Sequence, residues 1–223
     1  MSLSILCVTN AEPHAGLFIM RMHRLATILN CEFVIGLDGE NAQSGCLRKF
    51  ADVAIDLPAH DVPLQEMVSD LAVNACSGDY VLRLDDDEVV SPALETWLRQ
   101  KKYESGNLFA FPRVYMYPDK YHTLCNDGIY PDLQTRLGLK QNMLGINFIH
   151  AGNPNGCGQV VPYAIEHHKL LVKSYEQRKE IADRYEAIRE GAGTLPHYAR
   201  YNMPELIYDK LETQDYFDGD YAG

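Results

Sequence analysis

The chain has 223 residues, enough for one α/β domain with a small appendage, and its 46% hydrophobic and 23% charged content is ordinary for a globular protein. A formal charge of −11 argues against a broad nucleic-acid footprint, because non-specific binding to phosphate backbones is mostly cationic. No apolar run reaches the roughly 18–20 residues of a membrane span, and no basic region precedes an apolar core at the N-terminus, so a cytoplasmic location is expected.

The first half alternates strand and helix signals. Leu3–Val8 is a short apolar run ending in polar Thr9-Asn10. Leu17–Leu29 follows as a helix, with Leu17, Met20, Leu25 and Ile28 near helical spacing and Asn30 as its stop. Phe33–Leu37 reads as a second buried strand closed by Asp38-Gly39, a weaker helix spans Gln43–Phe50, and Val53–Asp56 is a third strand. Pro63 opens a helix to about Cys76, halted by Ser77-Gly78 before a strand over Tyr80–Leu84. Ser91-Pro92 supplies an N-cap and a first-turn proline to a helix whose Leu94, Trp97 and Leu98 face a core. Strands alternating with helices of this length predict a mainly parallel sheet covered on both faces.

From Leu108 the pattern changes. Leu108–Phe111 and Val114–Tyr117 are strand material around Pro112, and Thr135–Leu139 is another strand. Ser174 opens a helix with Gln177 completing a capping box, Ile181, Tyr185 and Ile188 on its apolar side, and Gly191 ending it. The division expected is 1–107, 108–190 and a C-terminal extension, 191–223. The six cysteines, Cys7, Cys31, Cys46, Cys76, Cys125 and Cys157, form no C-x-x-C pair, so neither a zinc site nor a disulfide framework is expected.

The tract Asp79–Glu88 carries the chemistry. A strand runs straight into four consecutive acids, Asp85, Asp86, Asp87 and Glu88, whose charges repel one another unless something positive compensates them. A divalent metal meets that need. In an extended backbone residues i and i+2 point the same way, so Asp85 and Asp87 are expected to share the ion while Asp86 faces elsewhere. Oxygen ligands of this kind suit Mn²⁺ or Mg²⁺. In parallel sheets ligands sit beyond the carboxyl ends of the strands, and Thr9-Asn10, Asp38 and Asp85–Glu88 all fall at that rim.

The segment Asp79–Pro92 resembles the D-x-D region of family 2 glycosyltransferases of the GT-A fold, closest to a subgroup writing W-V-L-x-x-D-A-D-E before a helix. Tyr130-Pro131-Asp132-Leu133-Gln134-Thr135-Arg136-Leu137 is similar to that subgroup's Y-P-D-x-x-x-R-L-F element, and Ile165-Glu166-His167-His168 to its downstream histidine before a capped helix. The three motifs stand in the family's order over about residues 1–190. The resemblance implies a GT-A, Rossmann-like α/β domain with a small helical C-terminal extension. It also implies metal-dependent, inverting transfer from a nucleotide sugar, a UDP-sugar foremost, to an acceptor hydroxyl. Asp85, Asp86, Thr9, Asn10, Asp38 and Arg136 then hold the donor, and Asp85, Asp87 and His167 the metal, with His168 and His150 as alternatives to His167.

Inverting transfer requires a general base; Asp132 is the candidate and Asp127 its rival, since the family's more usual E-D pair is absent. Asp132 also reads as a turn cap, and Arg136 as a salt bridge to a surplus acid. Leu137-Gly138-Leu139 stands where an aromatic is typical, and the C-terminal region is short, so the acceptor platform is expected to be small or completed by a partner chain, a homo-oligomer being one form of it. A local patch of Arg113, Lys120 and Arg136 keeps lipid-linked or DNA acceptors open beside glycans.

Three rivals stand beside this reading. A nucleotidyltransferase needs a glycine-rich basic loop after the first strand, and residues 9–16 hold one glycine and no Lys or Arg. A metal-dependent phosphohydrolase would draw on Asp85, Asp87 and histidines such as His14 and His60. A non-catalytic carbohydrate-binding protein would have little use for an intact acid cluster.

Overall fold

The computed structural model describes residues 1–39, 43–58, 69–125, 132–145, 153, 155–156, 158–193 and 212–216. Four strands, β1 (Leu3–Thr9), β2 (Glu32–Asp38), β3 (Val53–Leu57) and β4 (Tyr80–Asp85), run parallel in the order β3-β2-β1-β4. β5 (Glu88–Val90), β6 (Leu108–Tyr115), β7 (His122–Leu124), β8 (Asp132–Leu139), β9 (Gln159–Val160) and β10 (Ile165–His167) follow along the chain. The sheet continues β4-β8-β6-β10-β5, with β9 beside β6, for nine strands in all. β8 is antiparallel to β4 and β6, and β5 to β10; the other pairs are parallel. This is a single-domain, mixed, mostly parallel α/β fold of the GT-A, Rossmann-like type.

Period-2 alternation explains why both faces are covered. On β1, Leu3, Ile5 and Cys7 face one core with Phe33, Ile35, Leu82 and Leu84. Helices α1 (Ala15–Leu29) and, after α2 (Ser44–Leu47) and α3 (Ser69–Ala75), α4 (Pro92–Arg99) pack on that side. Leu6 and Val8 face the other core with Val34, Val81, and Ala72 and Val73 of α3. The helix expected from Pro63 is described only from Ser69. Gly78, just before β4, lies so close to β1 that an added Cβ would sit 2.6 Å from the Ser4 nitrogen.

Three of the stops and caps fall where expected, while the last helix ends at Ile188 with Arg189 as an extended C-cap, short of Gly191. Asn30 is a left-handed C-cap of α1, the Ser91 hydroxyl accepts from Leu94 N at 3.2 Å, and Ser174 and Gln177 form a capping box on α6 (Tyr175–Ile188), which follows α5 (Lys169–Val172). The apolar stripe of α1 differs from the expectation. Ala15, Phe18, Ile19, Met22, Leu25 and Ala26 are buried, whereas Leu17 and Met20 are 49% and 47% exposed. Two faces of this helix satisfy helical spacing, and the bulkier one with Phe18 and Ile19 goes inward.

Pro112 does not divide the strand material around it: β6 runs unbroken through it. On one side Pro112 pairs with Leu133; on the other, β9 ends opposite Ala110 and β10 begins opposite Arg113, so its missing N–H falls in the gap between them. Of the expected helical C-terminal extension, residues 191–193 form a turn and β11 (Thr213–Asp215) pairs antiparallel with β7. Among the described residues five cysteines are free, and no helix is long and apolar enough to cross a membrane.

Candidate metal centre

The parallel register brings the predicted rim together. Val8 pairs with Asp85 and Thr9 with Leu37, so the ends of β1, β2 and β4, carrying Thr9, Asp38 and the acid tract, lie on one edge. Asn10 is exposed there, and Asp38 is half-buried. The second half supplies the other wall. β10 sets His167 opposite Glu88 on one side and Tyr115 on the other, and β6 sets Arg113 opposite Asp132.

The acid tract is not extended throughout. β4 ends at Asp85, Asp86 and Asp87 form a turn, and β5 resumes at Glu88. Side-chain alternation applies only to extended backbone, so it does not carry across the Asp86-Asp87 turn, and the four acids divide between two sets of partners. Asp85 and Glu88 turn to arginines: Arg136 Nη2 bonds the Asp85 carboxylate and reaches Glu88 Oε1 at 2.6 Å, and Arg113 Nη1 lies 3.4 Å from Glu88. Arg136 is 4% exposed, with its Nη2 engaged in this pairing and its buried Nε without a hydrogen-bond partner among the described residues. Burial works to raise the Asp85 pKa, but Arg136, Arg83 and Arg113 outweigh it and hold the group below the usual carboxylate range.

Asp86 and Asp87 face the first loop and β10. Thr9 donates its hydroxyl to Asp86 Oδ2 at 2.5 Å and accepts from Ala11 N at 2.9 Å, tying the end of β1 to Asp86. His167 Nε2 lies 3.2 Å from Asp87 Oδ1, its ring against Tyr115 in a T-shaped contact at 4.8 Å. Burial opposes ionisation of Asp87, yet His167, with Lys173 and Lys169 behind it, overrides burial and holds this carboxyl far below its ordinary range. Burial in turn pulls the Lys169 ammonium down to about 8 against the pull of Asp87. His168 has different partners from His167: its Nε2 lies 3.1 Å from Glu166 and its ring packs on Phe18.

His14, weighed in the sequence only for a hydrolase, joins the cluster. One ligand atom from each of His14, Asp86 and Asp87 lies within 4.8 Å of the others. His14 Nε2 is buried, has no hydrogen-bond partner among the described residues, and sits 3.7 Å from Asp86 Oδ1. Two carboxylates and an imidazole nitrogen make a donor set suited to first-row divalent cations. The residues present fit a metal.

Asp132 lies apart from this triad. Its Oδ2 accepts from Arg113 Nε at 2.9 Å and the Tyr115 hydroxyl at 2.8 Å, and its Oδ1 from Gln134 Nε2 at 2.7 Å. Burial raises its pKa, but Arg113, Gln134 and Tyr115 prevail and lower it. Asp127, His150 and His60 lie outside the described residues. Sequence reasoning did not single out Lys169 and Lys173, whose i, i+4 spacing just after the histidine pair was the available signal.

No protein-family model and no curated protein matches the sequence. Among solved structures, the chain is similar to S. aureus TarS, a GT-A glycosyltransferase, at 13% identity and a TM-score of 0.50, covering 83% of this chain and 40% of that one. Against residues 1–349 of TarS the identity is again 13% and the TM-score 0.50, with 90% and 71% covered. The bifunctional IspDF of Campylobacter jejuni follows at 10% identity and a TM-score of 0.48, with 82% and 54% covered. The chain thus spans 40% of the longer TarS chain, and likeness at this identity establishes the fold alone.

Proposed function

We propose that the protein is a metal-dependent, inverting glycosyltransferase of the family 2 type, taking a sugar from a nucleoside diphosphate donor, a UDP-sugar foremost, to an acceptor hydroxyl. The observation that carries this reading is the buried Asp86–Asp87–His14 group at the carboxyl edge of β1 and β4, where open α/β sheets bind ligands. A divalent cation held there supplies charge stabilisation for the diphosphate leaving group. In this reading Asp38 accepts hydrogen bonds from the base or ribose and Asn10 donates to them, both lying on the same rim. Lys169 and Lys173 add positive charge beside Asp87. On the acceptor side Asp132 takes the hydroxyl proton; its bonds from Arg113, Tyr115 and Gln134 keep it ionised and fix its direction.

The test is a thermal-shift screen of nucleotides and nucleotide sugars with and without Mn²⁺. Ligand at a hundredfold excess over Kd stabilises the native state by about 2.7 kcal/mol. A Mn²⁺-dependent shift with UDP or a UDP-sugar, lost in Asp87→Ala, supports the proposal; no shift with any nucleoside diphosphate overturns it.

A second reading, a metal-dependent phosphohydrolase, is favoured by one observation: His14, among the histidines that reading drew on, stands in the ligand group with Asp86 and Asp87. Phosphate release from a phosphate ester without any acceptor, abolished by Asp87→Ala, would establish it instead.

A further inference from the structure

The loop between β1 and α1 does more than pass His14 to the rim. Ala11, at φ 57°, turns the chain back over Thr9, and His14 stands at the N-cap of α1 with its ring edge-on to Phe18 one turn later, at 6.3 Å. The side chain is 10% exposed. Each of its two ring nitrogens faces a carboxylate. Nδ1 faces Glu12 Oε2 at 3.5 Å, while Nε2 is buried without a hydrogen-bond partner among the described residues and faces Asp86 Oδ1 at 3.7 Å.

The carboxylate on the Nδ1 side, Glu12, is the one held in place by other groups, Lys173 and Asn10. A proton on Nδ1 is attracted by the Glu12 carboxylate, which leaves the Nε2 lone pair aimed at the acid pair. The 3.7 Å to Asp86 is too long for a hydrogen bond but short enough for two ligands of one cation, each about 2.1 Å away. Glu12 is itself pinned. Lys173 Nζ, from the end of α5 and 161 residues along the chain, donates to the same Oε2 at 2.6 Å, and Asn10 Nδ2 donates to Oε1 at 3.2 Å.

We propose that Glu12, held by Lys173, is a positioning residue that presents His14 Nε2 as the nitrogen ligand of a divalent cation with Asp86 and Asp87, so that the site selects Mn²⁺, Co²⁺ or Zn²⁺ over Mg²⁺. A carboxylate behind a ligating imidazole fixes ring orientation and raises its basicity, and losing it commonly weakens metal affinity 10- to 100-fold. Imidazole nitrogen favours transition metals, whereas Mg²⁺ prefers oxygen alone. The inference deepens the metal part of the proposed function and does not depend on the transfer reaction.

The experiment uses the full chain, stripped of metal and titrated with Mn²⁺ while free Mn²⁺ is followed by electron paramagnetic resonance, with Mg²⁺ affinity measured by competition. Mn²⁺ binds more tightly than Mg²⁺ in the parent protein. Glu12→Ala weakens Mn²⁺ by 10- to 100-fold with a smaller effect on Mg²⁺, and the same-sized Glu12→Gln changes the ratio in the same direction should the alanine variant fail to fold. Electron spin-echo modulation from a nitrogen bound to Mn²⁺ is present in the parent and in His167→Ala but absent in His14→Ala. Nitrogen modulation that persists in His14→Ala, or a Mn²⁺ to Mg²⁺ ratio unmoved by either Glu12 variant, overturns the inference. If a UDP shift persists in that case, the transferase reading stands alone; if His14 ligates Mn²⁺ but no nucleotide binds, only the transferase reading falls.

Discussion

The Thr9 hydroxyl donates to Asp86 Oδ2 at 2.5 Å, joining the ends of β1 and β4 across 77 residues of sequence. The bond takes one oxygen of Asp86 and leaves the other facing His14. Thr9→Val keeps the shape but leaves a buried carboxylate oxygen short of a donor. It is expected to lower stability by about 1.5–3 kcal/mol, the range for hydrogen bonds to charged groups. Urea unfolding in the absence of metal reads this directly, and a change under 0.5 kcal/mol would show the bond to be unimportant.

The Asp87–His167 contact sets a pH dependence. Asp87 has its pKa lowered in the folded protein, so its contribution to stability is complete above the unfolded value of about 3.9 and disappears as pH falls through the lower folded value. His167→Ala strips the nearest partner from a buried carboxylate, which is expected to cost about 3 kcal/mol at pH 7 and to shift the acid loss of stability to higher pH. Denaturant melts between pH 3 and 7 compare the two proteins; coincident curves would remove His167 from this role.

Arg136 divides two readings by a stability measurement. As the partner of Asp85 and Glu88, its replacement by Met leaves two inward-facing acids short of a cation and costs about 3–5 kcal/mol. Arg136→Lys keeps the charge, and because both bonds come from the single nitrogen Nη2, it is expected to recover part of this, short of the full value because the lysine side chain is shorter. A variant of unchanged stability that had lost nucleotide binding would return Arg136 to the phosphate.

Asp132 predicts the acid limb of the rate profile for the proposed transfer. Its lowered pKa keeps the basic form populated as pH falls, so the rate holds from pH 7 down to about 5. Arg113→Met removes the first of the groups that outweigh burial and is expected to move that limb upward, while Asp132→Ala spares donor binding and abolishes transfer. Near-parental transfer by Asp132→Ala would assign the proton to another group.

Local signals carried far where local forces decide. Strand runs, the Asn30 stop, the Ser91 cap and the Ser174–Gln177 box depend on neighbours within four residues, and each is found as expected. The reading failed where a local rule met a tertiary choice. Spacing on α1 allowed two apolar faces, and packing chose the one with Phe18 and Ile19. Alternation across Asp85–Asp87 assumed a strand, but the chain turns there to bring β5 against β10.

The charge problem shows the same boundary most clearly. Four adjacent acids announce by themselves that positive charge must converge on the end of the fourth strand, because repulsion between near neighbours is a property of the sequence. Which cation serves which acid was decided by strand pairing alone. β8 delivers Arg136 to Asp85 and Glu88 from 48 to 51 residues away, and β10 delivers His167 to Asp87. The β1–α1 loop turns His14 onto Asp86. Sheet order and register set those distances, and neither is written in any single stretch of chain.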